Sequence, residues 1–236
     1  MADENPPEGA TEPGEHETLT GWRVLHLFCR LAADADPAAV ELAVKEAQDD
    51  DHQVVTAALL GHKADLAVMA LGPSAAHLRR LQSALRRAGC TPAWSYVSLT
   101  EVSEYARGVP AAMREARLHP LLPPADMPAF CFYPMSKRRQ GEDNWYRLGY
   151  DDRLSLMYGH GHTGRSFHGR VLQLVTGSTG LDDFEWGVTL FGRSLDDIKQ
   201  CVYTMRFDEA SSRYAEFGPF VVGTVGSVSE VLAALR

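Results

Sequence analysis

The sequence contains no C-x-x-C pair, and its four cysteines, Cys29, Cys90, Cys131 and Cys201, lie far apart. In a chain of 236 residues that scatter reads as buried or free thiols in a reducing compartment rather than a disulfide framework. No run approaches the roughly 18–20 apolar residues that a membrane span needs. The opening residues are acidic and proline-rich, the opposite of a secretory leader with its basic start and apolar middle. Lys and Arg are missing from residues 1–17, where Asp3, Glu4, Glu8, Glu12, Glu15 and Glu17 supply most of the net charge of −8. The body that follows is therefore close to neutral, which argues against a broad basic face for nucleic acid or anionic membrane. These absences predict a cytoplasmic protein with no membrane span and no nucleic-acid partner. Core material is plentiful: 45% of the residues are hydrophobic, enough to fold as one large unit or two smaller ones without disulfide or metal.

Residues 1–17 have almost nothing to bury and read as a disordered tail. Trp22–Cys29 alternates as a half-buried strand does. Asp36 before Pro37 is an N-cap followed by proline at the first helical position, opening a helix to about Gln48. Apolar runs at Val54–Leu60 and Leu66–Leu71 are joined by a loop of hairpin length. A second helix over Ser74–Ala88 stops at Gly89, and a strand covers about Ala93–Ser98. That order, β-α-β-β-α-β, is the ferredoxin-like arrangement. Residues 109–128 form a linker with some helix and a proline-rich end. The pattern then recurs, with strands at Ala129–Tyr133 and Asn144–Leu148, a helix from Asp152, and strands at Val171–Thr176 and Trp186–Phe191. Ser194 opens a further helix through Ile198, Val202 and Met205, and Phe217–Val222 closes the chain. The expected architecture is α+β: two tandem ferredoxin-like halves, residues 18–108 and 129–236.

Chemistry concentrates in the second half. His26, His52, His62 and His77 are isolated and read as structural or solvated. Tyr133 ends a strand just before the cationic Lys137-Arg138-Arg139, and a spacing of four puts Tyr133 and Lys137 on one strand face. These residues alone are equally compatible with a basic turn beside a packed tyrosine. Asp152–Gly169 carries His160, His162 and His168 among four glycines, which are poor in an isolated helix and suggest backbone lying close to something bulky. On a helix His160 and His162 point about 200° apart, and His160 and His168 stand about 12 Å apart along the axis, so neither pair shares a metal. With no cysteine or carboxylate at ligand spacing, zinc is not favoured. One imidazole on a haem iron needs no second ligand from the chain. In Thr176–Phe191, Asp182 and Asp183 read as turn and cap residues, and Arg206–Tyr214 passes as a helix end.

Five segments taken together are specific: FCFYPMSKRR (residues 130–139), DNWY (143–146), MYGHGHTGR (157–165), VLQLVTGSTGLDDFEWGVTLF (171–191) and MRFDEASSRYAEFGPFVVG (205–223). In them the sequence resembles the chlorite dismutase superfamily, and within it the coproheme decarboxylases of Gram-positive, actinobacterial type. The resemblance implies a dimeric α+β barrel made of the two halves, assembled as a homopentamer. It implies Fe-coproporphyrin III (coproheme) as both substrate and redox centre, hydrogen peroxide as oxidant and haem b as product, through a three-propionate intermediate. A coproporphyrin ferrochelatase is the implied transient partner. By the same resemblance His160 is the proximal iron ligand, Tyr133 the tyrosine whose radical attacks a propionate, and Lys137 the assistant to the second decarboxylation. Met135, Arg165 and Ser211 fall around the propionates or the proximal pocket. Trp145 and Trp186 sit beside the porphyrin, in packing or as carriers of stray oxidising equivalents. Gln173 stands where chlorite-degrading relatives carry an arginine, and a neutral amide offers chlorite no cationic clamp. His119 replaces a propionate-binding arginine of several relatives and is the candidate distal base, or else a propionate contact. Two other readings remain at this point: a haem carrier or sensor without turnover, and a chlorite-degrading or peroxidase-like enzyme.

Overall fold

The computed structural model describes residues 18–106 and 108–235; the expectation of a disordered tail over residues 1–17 lies outside them. The first half runs β1 (Leu19–Leu31), α1 (Pro37–Asp49), β2 (Gln53–Leu60), β3 (Leu66–Gly72), α2 (Ala75–Arg87) and β4 (Cys90–Val102). Its helices begin where the side chains dictate. Asp36 accepts from the Ala38 and Ala39 amides at 3.0 and 3.3 Å, with Pro37 at the first helical position, where its missing N–H is no loss. Ser74 caps α2. Gly89 turns the chain out of α2 at φ +93°, where a Cβ would stand 2.7 Å from the Ala35 Cα, so only glycine fits.

The second half is β5 (Ala129–Lys137), α4 (Tyr150–Arg165), β6 (Val171–Gly177), β7 (Trp186–Gly192), α5 (Leu195–Met205), the one-turn α6 (Glu209–Ser212), β8 (Ala215–Phe217) and β9 (Val221–Gly226). Helix α3 (Ala111–Leu118) sits in the connection between halves, and α7 (Val228–Ala234) ends the described chain. Each half has the ferredoxin-like strand order, β4-β1-β3-β2 and β6-β7-β5-β9. The halves join through β4–β6 and β2–β9, and all strands except β8 form one closed barrel, so the α+β expectation holds. Closure leaves the barrel itself no open edge, and short β8 hangs on β5 alone.

Two expectations need correction. Asn144–Leu148 is not a strand: the Asn144 side chain caps a single 3-10 turn at Trp145–Arg147, which buries Trp145. Nor does Phe217–Val222 close the chain. After β9, Ser227 and Glu230 form a reciprocal capping box, and α7 lays Val231 and Leu232 on the core beneath α1 and α2. The S-x-x-E signature of that helix is present in the sequence.

The barrel interior is packed with side chains from both halves, among them Val24, Phe28, Met69, Tyr96, Phe130, Phe132 and Phe191. His26 lies in it, 1% exposed. Its Nε2 pairs with Thr189 Oγ1 at 2.9 Å, Nδ1 has no partner among the described residues, and burial lowers its pKa to about 3. The unfolded chain protonates this imidazole below about pH 6.5, whereas the folded chain resists until near pH 3, so stability falls as pH drops through that window. Replacing His26 by Leu removes this contribution. In urea melts at pH 7 and pH 5, the variant is expected to lose about 2 kcal/mol less than the parent between the two pH values; an identical loss would refute the assignment.

Candidate functional site

Alternation along β5 sends Phe130 and Phe132 into the barrel and presents Cys131 and Tyr133 to the helix layer. Near its end, Tyr133, Met135 and Lys137 line one cavity of about 420 Å3, within the range of small-molecule sites. Gln173 and Val175 of β6 and Trp186 and Val188 of β7 continue the wall. Met157 and His160 of α4, Cys201 and Met205 of α5, and Ser211 of α6 face them. Trp145 also reaches the cavity, carried there by its 3-10 turn. Of the ten site residues singled out from the sequence, the fold thus gathers eight.

Tyr133 is 6% exposed. Its ring stacks on Phe220 with centroids 4.4 Å apart and meets Phe217 edge-on at 5.6 Å. Burial pushes the phenol well above its usual value, and the neighbouring Cys131 and Cys201 push the same way. The Tyr133 hydroxyl makes no hydrogen bond among the described residues and opens on the cavity. Lys137 donates from Nζ to the Ala210 carbonyl at 2.9 Å, and the ammonium lies 4.2 Å from the centre of the Trp145 ring, a cation–π contact. Burial lowers it to about 8 against the opposing pull of Asp208 and Glu185, neither of which forms an ion pair with it.

His160 enters from α4 with Nδ1 3.2 Å from each carboxylate oxygen of Asp208. Asp208 is itself fixed by the Ser211 amide at 3.1 Å and the Ser211 hydroxyl at 2.9 Å. Burial works to raise the Asp208 carboxyl, but bonds and charge from His160 and Ser211 outweigh it and hold the group below its usual range. With Nδ1–H donated to a carboxylate, the ring is set in one tautomer and Nε2 is left as a lone-pair donor, the arrangement that supports an imidazole on a metal. His162 and His168 are exposed.

The α4 glycines do not admit a neighbouring element of the chain. A Cβ at Gly159 would meet nothing within 4 Å, and at Gly164 nothing closer than 3.9 Å. The close approach expected from them is not made by any described element at these positions.

Two candidates stand away from the cavity. His119 ends α3, where Nδ1 pairs with Glu115 at 2.6 Å and the ring sits edge-on to Trp22 at 4.9 Å. Arg165 lies five residues after His160, about 140° round the helix; it is exposed, over the Tyr158 ring. The fold brings in residues that sequence reasoning passes over. Asp208 sits inside the MRFDEASSRY segment, and its D-x-x-S spacing to Ser211 is the helix-cap signal that marks it. Arg117, Arg206, Glu101, Glu104 and Tyr105 also line the cavity, and nothing local in the sequence distinguishes them.

The chain matches the chlorite dismutase family over residues 34–226. A protein from Thermus thermophilus, described as a novel heme-binding protein identified from its structure, is 37% identical and superposes with a TM-score of 0.85, over 96% of this chain and 99% of that one. A mutant chlorite dismutase from Candidatus Nitrospira defluvii is 19% identical, with a TM-score of 0.72 over 92% of this chain and 96% of that one. The family match takes in segments of both ferredoxin-like halves. The chain belongs to the chlorite dismutase family.

The lowered ammonium gives a direct check. In an NMR titration of the lysine side chains, Lys137 is expected to change charge near pH 8, because burial disfavours its cation. A midpoint at the ordinary lysine value near 10.4 would mean that the group is solvated and not in the cavity wall.

Proposed function

We propose that the protein binds Fe-coproporphyrin III in this cavity and, with hydrogen peroxide, oxidatively decarboxylates its 2- and 4-propionates to vinyls, giving haem b. The observation that carries the reading is the placement of Tyr133 and Lys137 on one strand face, the tyrosine hydroxyl unpartnered, opposite a histidine held by a carboxylate.

The residues present fit such a ligand. An apolar slot between Val188, Val202, Met135 and Met205 suits the macrocycle. Lys137, Arg117 and Arg206 face the cavity, and none of the three is in an ion pair among the described residues. Carboxylates take charge-assisted hydrogen bonds from such cations. His160, backed by Asp208, is the residue to hold the iron, and Gln173 is the neutral distal side chain. When bound, the iron porphyrin supplies the two-electron oxidising power of peroxide.

The chain's own groups do the rest. Tyr133 is the redox-active side chain: its hydroxyl gives up an electron and a proton, and the tyrosyl oxygen removes hydrogen from the propionate β-carbon. Lys137, whose backbone stands about 13 Å further along the strand, reaches the reacting carboxylate through its ammonium. One propionate, one peroxide and one proton yield one vinyl, one carbon dioxide and two waters. Because a single tyrosine serves two propionates, the three-propionate intermediate turns in the cavity before the second round. The peroxide proton moves by way of a water held by Gln173, since His119 is engaged with Glu115. The homopentamer and hand-over of substrate by a ferrochelatase belong to the same reading.

A haem carrier without turnover is the second reading, favoured by the description of the Thermus protein. Mass spectrometry of the porphyrin during stepwise peroxide addition separates the two: successive loss of two carbon dioxide units is expected, and bleaching alone would leave a carrier. Tyr133→Phe is expected to bind coproheme normally and to form vinyls at least about 100-fold more slowly; undiminished turnover would remove the tyrosine from the mechanism. His160→Ala is expected to change the Soret spectrum of the loaded protein, and an unchanged spectrum would move the iron ligand elsewhere.

A further inference from the structure

Glu101 is a carboxyl in the cavity wall whose hydrogen-bond donors among the described residues are all neutral. It stands on β4, opposite β6, and its Oε1 accepts from the indole Nε1–H of Trp186 at 3.1 Å. The Thr18 hydroxyl donates to it as well. The carboxyl lies flat over Gly177: a Cβ there would come within 2.9 Å of both of its oxygens and its carbon. A side chain at position 177 would displace the Glu101 carboxyl from this place.

Among the described residues Glu101 belongs to no ion pair. Glu104, from the 3-10 turn after β4, is the charged neighbour that acts on it, and Glu104 has Arg153 of α4 at 3.6 Å. Arg117 from α3, Arg206 from the end of α5, Lys137 of β5 and His160 of α4 face the same cavity without reaching Glu101. Burial and the Glu104 charge raise the Glu101 carboxyl, against the hydrogen bonds of Trp186 and Thr18. A proton added to the second oxygen leaves the indole bond to Oε1 intact and turns the group into a donor.

Resting on the tetrapyrrole reading above, we propose that Glu101 is a specificity-determining contact that takes up a proton when a ligand carboxylate is placed against it. Coproporphyrin III carries a propionate on each of its four pyrroles, so no edge can face Glu101 without bringing an anion to it. Protoporphyrin IX carries two, on adjacent pyrroles, and its vinyl edge can face Glu101 with no proton needed. Binding of the four-carboxylate ring is thereby coupled to protonation, and binding of the two-carboxylate ring is not.

The test uses iron-free coproporphyrin III and protoporphyrin IX, followed by quenching of tryptophan fluorescence between pH 6 and pH 8 in the parent and in Glu101→Gln. Uptake of one proton changes affinity by up to about tenfold per pH unit. The parent is expected to bind coproporphyrin more tightly as pH falls, with a steeper slope than the variant. At pH 8 the variant is expected to bind coproporphyrin several-fold more tightly than the parent, and protoporphyrin equally well. Parallel slopes for parent and variant would overturn the proposal. Titration calorimetry of the parent in two buffers of different ionisation heat stands independently of the variant's folding: coproporphyrin must take up more protons than protoporphyrin, and equal uptake overturns the proposal. If neither porphyrin binds, the tetrapyrrole reading itself falls, and this proposal with it.

Discussion

Strand β5 bears the constraint around which the molecule is arranged: both of its faces are buried, against different partners. Its inward residues, Phe130 and Phe132, share the barrel interior with Phe28 and Tyr96 of the first half. Its outward residues build the floor of the cavity. It pairs with β7 along one edge and with β9 and then β8 along the other. A one-residue slip in register would exchange the two faces, putting Tyr133 and Lys137 into the apolar interior. Packing of the barrel and placement of the site are thus one requirement, met by one strand.

Around that strand the charges follow a simple logic. An anion-accepting site needs cations that are near the cavity but unspent, and a buried lysine held by a carbonyl and an indole face meets that need. Lys137 keeps its proton only weakly because burial works against the cation, so an arriving carboxylate restores what the fold removes. His160 shows the converse. Its carboxylate partner is already in place, which fixes the ring and leaves the other nitrogen as the available donor. Glu101 is the third case, a carboxyl with neutral hydrogen-bond donors and no counter-ion among the described residues. The three groups differ in what they can offer a ligand because their partners differ.

The first half contributes by shape. Its helices α1 and α2, joined by α7 from the chain's end, cover one side of the sheet over Leu25, Leu27, Leu66 and Val68, and its strands complete the barrel. The connection after β4 brings Glu104, Tyr105 and Arg117 to the cavity. Arg153, the buried residue of α4, ties that connection down, its Nε donating to the Tyr105 hydroxyl at 2.9 Å. The cavity is therefore walled by both halves, although its polar chemistry comes chiefly from the second.

The sequence by itself determined the order of most elements, the helix starts at Asp36, Ser74 and Ser194, and the strand-face pairing of Tyr133 with Lys137. Each is a local matter: a cap needs a side chain within three residues of the amides it satisfies, and alternation needs only neighbours along one strand. The short 3-10 turn at Trp145 escapes such a reading because a run of five residues does not declare its period. The final helix does carry a local signal, the capping box at Ser227, but it is a single one. Only the tertiary structure decided that Asp208 reaches His160 across 48 positions, that Glu101 meets Trp186 across 85, and that His119 and Arg165 face elsewhere. Those outcomes depend on how helices lie on a closed barrel, and spacing along the chain carries no record of distance across it.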